Sequence, residues 1–204
     1  FTRLGGLRHS ESSLSSLSSD LEFRIIPFQH PSKLDALDRV INAAPFVPKD
    51  ESQRASRCEE VVTLQSSGLQ QRMVKSGAKS LVLGVSGGLD STLALLVCHH
   101  AVEKLGWSKE RLVGISMPGF GTSERTRKNA EALCATLGIQ FKEIDIKPHC
   151  ELLARSAGHD LTKHDVTFEN IQARQRMLIL MNMANELKGL VVGTSDMSEL
   201  ALGW

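Results

Sequence analysis

A run of small and polar residues in the middle of the chain has the composition of a phosphate-binding loop. Residues 84–91 read Gly-Val-Ser-Gly-Gly-Leu-Asp-Ser. The paired glycines, Gly87 and Gly88, would let phosphate oxygens reach the backbone because no β-carbon stands in the way. Ser86 and Ser91 add hydroxyl donors, so the segment could hold a polyphosphate through N–H and O–H groups.

Asp90 places a negative charge beside this predicted anion site. A carboxylate repels phosphate unless a cation lies between them. Because Mg²⁺ binds through one or two carboxylates together with phosphate oxygens, the sequence implies that Mg²⁺ accompanies the phosphate.

The residues on either side of the loop predict the elements that position it. An apolar, β-prone run over 80–85 leads in, and leucine and valine recur at helical spacing over 93–102. A strand, a tight turn and a helix N-terminus in this order direct free backbone N–H groups outward. The helix dipole adds positive potential at the same point.

Two other motifs compete for the same residues. The Walker A loop requires a lysine after its glycines, and none is present here. The nucleophile elbow Gly-x-Ser-x-Gly is matched by Gly84, Ser86 and Gly88, and it would need an acid and a histidine downstream. Those places could be filled by Asp145 with His149, His159 or His164. The elbow stays open, as does a plain turn from strand to helix, although the elbow leaves Asp90 without a role.

Most of the chain alternates apolar, strand-like runs with helical patterns. The predicted elements are, in order, helix 51–76, strand 81–85, helix 90–104, strand 112–117, helix 123–137, strand 140–145, helix 149–157, helix 167–187, strand 190–194 and a helix from 196. This alternation predicts an α/β fold with a right-handed, doubly wound parallel sheet. Ligands bind at the carboxyl ends of such strands, where Ser86, 118–122, Asp145 and Thr194 are expected.

Composition excludes several classes of protein. The formal net charge of +1 gives no basic footprint for nucleic acid, and no signal peptide or 18-residue apolar run indicates export or a membrane. The four cysteines form no Cys-x-x-Cys pair: Cys58, Cys98, Cys134 and Cys150. We expect them to be reduced, mostly buried thiols of a cytoplasmic protein.

Both ends of the chain predict a piece of a longer protein. Seven of the eleven residues over 10–20 are serine, which is typical of a disordered linker. The chain begins at Phe1 and ends at Trp204, just after an apolar, helical pattern. We therefore predict a partly disordered linker over 1–50, left from a preceding domain, and one domain over 51–204 that is truncated at its C-terminus.

The loop at 86–91 resembles the SGGxDS loop of the N-type ATP pyrophosphatases, which split ATP into AMP and pyrophosphate while adenylating a substrate. Three further segments resemble the NAD synthetases of that family: 117–123, 169–174 and 193–204. Residues 45–48 and 57–60 resemble the stretch that joins the glutaminase and synthetase domains of the glutamine-dependent form. The resemblance covers about residues 45–204. It implies a Rossmann-like fold of the adenine nucleotide α-hydrolase type.

The resemblance also implies roles for individual residues. ATP would be bound by Gly84, Val85, Ser86, Gly87, Gly88, Leu89, Asp90, Ser91 and Thr194. Asp90 and Ser91 would be catalytic, and Asp90 and Glu199 would hold Mg²⁺. Deamido-NAD would contact Asn170, Arg174, Glu199 and Trp204.

Several residues outside the loop have a structural alternative. Asn170 and Arg174, four residues apart on one helical face, could be an exposed pair. Glu199 could be a solvated residue near a helix start, favoured by the dipole. Trp204 could belong to the core. Ser123 could cap a helix where an ATP contact is otherwise possible.

The implied activity is the ATP-dependent amidation of deamido-NAD to NAD through an adenylated carboxylate. Glutamine would supply the ammonia through a glutaminase domain of the same full-length chain, and the protein would form a homo-oligomer. Two alternatives stay open. One is another glutamine-fed SGGxDS ligase, such as GMP synthetase, and the other is a non-catalytic nucleotide-binding module.

Overall fold

The structure, a computed structural model, describes residues 26–27, 39–45 and 47–202 of the 204-residue chain. The predicted serine-rich linker at 10–20 lies outside the described residues, as do most of the predicted 1–50 linker and Trp204. The chain divides into two units, Phe1–Phe46 and Val47–Trp204. The helices and strands described below belong to the second unit.

Four parallel strands form one sheet in the second unit. They are β1 (Leu81–Gly84), β2 (Leu112–Ser116), β3 (Gln140–Glu143) and β4 (Leu190–Val191). Their order in the sheet is β3-β2-β1-β4, so the chain passes to one side of β1 first and returns to its other side last. In this register Leu81 pairs with both Leu112 and Leu190. The apolar β1 and β2 are buried because helices cover both faces, as is usual in parallel sheets.

Helices precede, connect and follow the strands. They are α1 (Glu51–Ser76), α2 (Leu89–Lys104), α3 (Glu124–Leu137), α4 (Lys147–Ala157), α5 (Val166–Glu186) and α6 (Met197–Leu202). A short 3₁₀ turn, Lys109–Arg111, precedes β2. The predicted α/β fold is confirmed, with element ends shifted by at most three residues. The largest shift is in β4, which was expected to reach residue 194.

The core consists of two clusters, one on each face of the sheet. Alternate residues of β1 enter different clusters because successive strand side chains point to opposite faces: Leu81 and Leu83 enter one, and Val82 enters the other. The first cluster contains residues of α1, α2 and α3, such as Met73, Leu95 and Cys134. The second contains residues of α4 and α5, such as Cys150, Ile171 and Leu180. The doubly wound arrangement is therefore confirmed.

The cysteines follow their expected pattern. Cys98, Cys134 and Cys150 are buried, Cys58 is exposed, and all four are free thiols. Among the described residues, no helix has both the length and the apolar character that a membrane crossing requires.

Candidate active site

Two serine hydroxyls shape the loop that follows β1. The Oγ atoms of Ser86 and Ser91 lie 3.1 Å apart, and the Ser86 N–H donates to Ser91 Oγ at 3.3 Å. The Gly88 N–H donates to Ser86 Oγ at 3.2 Å, while Ser91 Oγ donates to the Gly88 carbonyl at 3.1 Å. Ser91 is buried. The hydroxyl groups of both serines therefore form hydrogen bonds that hold the loop in its conformation.

The N-terminus of α2 leaves backbone donors free beside this loop. Its N-cap is Gly88, which has no side chain to satisfy them. In the described part of the chain, the N–H groups of Leu89, Asp90 and Ser91 have no hydrogen-bond partner. Unsatisfied N–H groups and the positive end of the helix dipole together favour an anion at this point.

A cavity of about 440 Å³ opens next to the loop, at the carboxyl edge of the sheet. Ser86 and Ser91 form part of its wall, and Thr194 closes it from beyond β4. Its base is apolar because the buried Val85 and Met117, which directly follow the two central strands, lie there. A flat apolar group could lie on this base with a charged group directed to the loop.

Two arginines line the cavity, one from each side of the sheet. Arg176 comes from α5, and its Nε donates to the Met117 carbonyl at 3.3 Å. Arg127 comes from α3, and its Nη1 donates to Glu143 Oε1 at 2.9 Å. The hydrogen bond that Arg127 donates to Glu143 and the negative charge of that carboxylate raise the pKa of Arg127. This ion pair is partly exposed, so solvent screening keeps its own contribution to stability small.

The segment that follows β2 is attached to α5 by polar contacts. The Phe120 N–H donates to Oε1 of the buried Gln172 at 3.2 Å. A β-carbon at Gly119 would lie 2.4 Å from that oxygen and 2.9 Å from Nη2 of Arg176. Gln172 and Arg176 are four residues apart and so lie on one face of α5. Together they fix the segment 117–120, of which Met117 and Pro118 line the cavity.

The structure places the sequence-predicted loop residues in two groups. Five of the residues predicted for ATP line the cavity: Gly84, Val85, Ser86, Ser91 and Thr194. The others form the adjacent turn and the first turn of α2: Gly87, Gly88, Leu89 and Asp90. One sheet edge thus brings together all the residues that were predicted for ATP.

The predicted substrate residues lie apart from the cavity wall. Asn170 is half-buried and Arg174 is exposed on α5, and neither lines the cavity. Trp204 lies outside the described residues. Their assignment to deamido-NAD stays a prediction.

Glu199 forms a reciprocal cap at the start of α6. Its N–H donates to Asp196 Oδ1 at 2.8 Å, and its Oε2 accepts from the Asp196 N–H at 3.3 Å. Glu199 therefore lies at a helix start, which is the structural alternative to a ligand role. The other carboxylate oxygen is not used by this cap, so a ligand role for Glu199 stays a prediction.

The carboxylate of Asp90 is exposed, and within the described residues it takes part in no hydrogen bond or ion pair. No group of three or more His, Cys, Asp or Glu side chains in that part of the chain could hold a metal ion. A cage of protein ligands is not needed for Mg²⁺, which binds through one or two carboxylates and substrate phosphates. The donor set therefore fits a cation that is shared with phosphate.

The residues of a hydrolase triad are not assembled among the described residues. Ser86 contacts Ser91, and no described histidine lines the cavity. Asp145 accepts from the Lys147 N–H at 2.9 Å, at the start of α4. His159 Nε2 lies 3.6 Å from Asp165 Oδ1 instead of reaching Ser86. The geometry gives the nucleophile elbow no support.

Sequence reasoning missed both cavity arginines. Arg176 follows Gln172 and precedes Leu180 by one helical turn each, and both neighbours are buried. That spacing could have placed it on the inner face of α5. Arg127 gave no such signal, because its partner Glu143 lies 16 residues away in another element. Ser123, in contrast, is the N-cap of α3 as predicted.

Comparison with known proteins decides which family these features belong to. A family model described as NAD synthase matches residues 61–204, which is more than half of the chain. The chain belongs to the NAD synthase family. Membership of the NAD synthase family confirms the resemblance that the loop and the three later segments carried.

Several NAD synthetases are similar to this chain. The glutamine-dependent NAD(+) synthetase of Mycobacterium leprae is 42% identical over 188 residues, which are 90% of this chain and 27% of the relative. The NH(3)-dependent NAD(+) synthetase of Pyrobaculum aerophilum is 34% identical over 146 residues, or 72% of this chain and 53% of the relative. The chain thus spans about a quarter to a half of the length of these relatives.

A solved NAD synthetase shares the fold. The glutamine-dependent NAD+ synthetase from Acinetobacter baumannii, in complex with adenosine diphosphate, matches with a TM-score of 0.64 at 28% identity. The match covers 71% of this chain and 27% of that chain. The sheet with helices on both faces is therefore shared with an NAD synthetase of known structure.

Proposed function

We propose that this chain carries the synthetase chemistry of an NAD synthetase, the ATP-dependent amidation of deamido-NAD to NAD. The observation that supports the proposal most directly is the uncapped N-terminus of α2. It opens beside a 440 Å³ cavity at the carboxyl edge of the sheet, in a chain of the NAD synthase family.

The proposed binding mode of ATP follows from the polarity of the cavity. The adenine lies on the apolar base formed by Val85 and Met117. The phosphates extend to the loop, where the free N–H groups of Leu89, Asp90 and Ser91 donate to the oxygens of the departing pyrophosphate. These donors are fixed by the fold before the reaction, so they stabilise developing negative charge without rearranging.

The proposed reaction has two steps. The nicotinate carboxylate of deamido-NAD attacks the α-phosphorus of ATP, and the bond from that phosphorus to the oxygen bridging it to the β-phosphate breaks, releasing pyrophosphate. Ammonia then attacks the carboxyl carbon of the adenylate, loses a proton and displaces AMP to give the amide. The protein contributes mainly by holding the two substrates in contact and neutralising charge.

Mg²⁺ is part of this proposal. Asp90 and Glu199 would hold it together with phosphate oxygens, and when bound it neutralises charge on the phosphates. Ser91 acts in the proposal by keeping the loop in shape through its contacts with Ser86 and Gly88.

The remaining parts of the proposal rest on family membership. Asn170, Arg174, Glu199 and Trp204 contact deamido-NAD, and glutamine supplies ammonia through a glutaminase domain, as the name of the mycobacterial relative suggests. The protein acts as a homo-oligomer. Its compartment is the cytoplasm, where free thiols such as those found here persist.

The test supplies the complete native protein with ATP, Mg²⁺ and ammonia, and with either deamido-NAD or xanthosine monophosphate. We expect equal amounts of NAD, AMP and pyrophosphate with deamido-NAD, and no turnover with the purine nucleotide. Turnover with xanthosine monophosphate alone would replace the proposal by a GMP synthetase. ATP binding without AMP formation from either substrate would leave a nucleotide-binding module.

A further inference from the structure

Arg127 stands between two recesses of the molecule. On one side is the 440 Å³ cavity that Ser86 and Ser91 also line. On the other is a recess of about 300 Å³, whose wall includes the carboxylates of Glu143 and Asp145. Three carboxylates line the second recess against two cations, Arg127 itself and Lys147, so an anionic ligand of Arg127 would approach from the first recess.

The backbone next to Arg127 lies against the phosphate loop. Thr126 packs directly on Gly87, because a β-carbon at Gly87 would collide with the Thr126 carbonyl. Thr126 and Arg127 both line the cavity. The guanidinium of Arg127 is therefore attached to the part of α3 that is in contact with the loop.

The Arg127 side chain keeps donors available. Its Nη1 is used by Glu143, and within the described residues the other guanidinium N–H groups have no partner. An arginine carries five N–H donors in a planar fork that matches the oxygens of phosphate. Arg176, the other cation described along the cavity wall, likewise uses one donor, its Nε, which donates to the Met117 carbonyl.

We propose that Arg127 is a further ATP-binding residue, whose guanidinium contacts phosphate oxygens of the nucleotide from the α3 side of the cavity. The inference rests on the proposed function for the identity of the ligand. It adds a contact from outside the loop at 84–91, so that the phosphates are held between α2 and α3.

The experiment measures the dissociation constant for ATP with Mg²⁺ by isothermal titration, on the complete native protein and three variants. Arg127→Gln removes the charge, and Arg127→Lys keeps the charge without the fork. Lys128→Gln is the matched control, since Lys128 also forms an ion pair on α3, to Glu124 at 2.9 Å, but does not line the cavity. Thermal unfolding of each variant reports its stability.

For Arg127→Gln we expect the dissociation constant to rise about tenfold, or about 1.4 kcal/mol. Arg127→Lys should lose less, about threefold, because charge remains without the bidentate geometry. Lys128→Gln should match the wild type, and all variants should unfold at similar temperatures.

Wild-type affinity in Arg127→Gln would overturn the role of Arg127 while leaving the proposed function intact. An equal loss in Lys128→Gln would also overturn it, because the effect would then be one of general charge. A loss that accompanies a clearly lowered unfolding temperature in both Arg127 variants would show a structural role instead. If the wild-type protein does not bind ATP at all, the proposed function itself fails, and the role of Arg127 fails with it.

Discussion

The carbonyl oxygen of Thr126 lies 2.3 Å from the position that a β-carbon on Gly87 would occupy. Gly87 also has a φ of 81°, in the left-handed region that side chains rarely adopt. Its neighbour differs, because Gly88 has extended backbone angles of −90° and 171°. A β-carbon there would meet only Ser86 Oγ, at 3.3 Å. The fold therefore requires glycine at position 87 but not at position 88.

Alanine at each glycine should separate folding from ligand binding. Gly87→Ala should lower the free energy of unfolding by about 1–3 kcal/mol, because it combines backbone strain with a collision. Gly88→Ala should unfold nearly as the wild type does but bind ATP more weakly, because its methyl group faces the approaching phosphate. Urea denaturation and isothermal titration provide the two measurements. Full ATP affinity in folded Gly88→Ala would contradict the loop assignment.

The metal assignment predicts a shared requirement for two carboxylates. Asp90→Asn and Glu199→Gln should each raise the Mg²⁺ concentration needed for half-maximal ATP binding by about tenfold, since a hard cation prefers charged oxygens. The Glu199→Gln protein should keep its stability, because glutamine can still accept from the Asp196 N–H. Glu60→Gln, at an exposed ion pair on α1, is the control. If both variants titrate with Mg²⁺ as the control does, the ligands lie elsewhere.

The two arginines of α5 should affect different substrates. Arg174→Lys, on the exposed face, should raise the KM for deamido-NAD about tenfold, or about 1.4 kcal/mol, with little change in the KM for ATP. Arg176→Lys loses the Nε donor to Met117, so it should destabilise the fold by about 1 kcal/mol and raise the KM for ATP. Steady-state kinetics with each substrate varied in turn gives both constants. If both KM values are unchanged in Arg174→Lys, Arg174 is part of an exposed helical pair and does not contact deamido-NAD.

Local patterns were enough to predict the sheet, because each of β1 and β2 is an apolar run followed by a glycine or proline turn. They were also enough to place the loop, since its glycines and hydroxyls are consecutive. The cavity arginines depend on contacts between elements. Arg127 is positioned by Glu143 on β3, and Arg176 by a carbonyl at the end of β2. The spacing of residues within α3 or α5 does not indicate which groups in other elements these arginines contact.

The same reason explains the shortened β4. The apolar run beyond Val191 predicted a longer strand, and the Val192 N–H does bond to the Val82 carbonyl at 2.9 Å. The residues that follow then leave the ladder to line the cavity. Thr194 reaches the site because the strand ends early.

Asp165 predicts a pH dependence at the start of α5. Its carboxylate accepts from the Phe168 N–H at 3.0 Å and the Thr167 N–H at 2.8 Å, and these bonds, that of Phe168 foremost, lower its pKa from 3.8. A lowered pKa in the folded state stabilises the fold above the unfolded pKa, and the contribution disappears as the pH falls through the folded value. Asparagine can cap the helix without titrating, so Asp165→Asn should lose less stability below about pH 4.

Urea denaturation at neutral pH and at two acidic values measures this difference. Glu186→Gln removes a charge from the other end of α5 and serves as the control. If Asp165→Asn loses as much stability at acidic pH as the wild type does, the acid sensitivity comes from other carboxylates.

The thiols should differ sharply in reactivity. Burial raises the pKa of Cys98 to about 12 and that of Cys134 to about 11, and it also raises the pKa of Cys150. These thiols stay protonated and shielded, whereas Cys58 is exposed. A maleimide at about pH 8 should therefore modify Cys58 rapidly and the other three only in denaturant. Mass spectrometry counts the adducts, and Cys58→Ser should remove the fast one. Rapid labelling of a second cysteine would contradict the packing of the core.

The cavity takes one wall from α3 and another from α5, and these helices belong to the two separate core clusters. Occupancy of the cavity is therefore linked to the folding of both layers at once. At a ligand concentration of about 100 times Kd, such linkage contributes about 2.7 kcal/mol to the free energy of unfolding. When the protein is saturated with ligand, partial opening of either layer becomes less favourable. Opening one layer removes one wall of the cavity, so the ligand dissociates and its contribution to the free energy of unfolding is lost. Ligand supply would in this way set how cooperatively the domain unfolds.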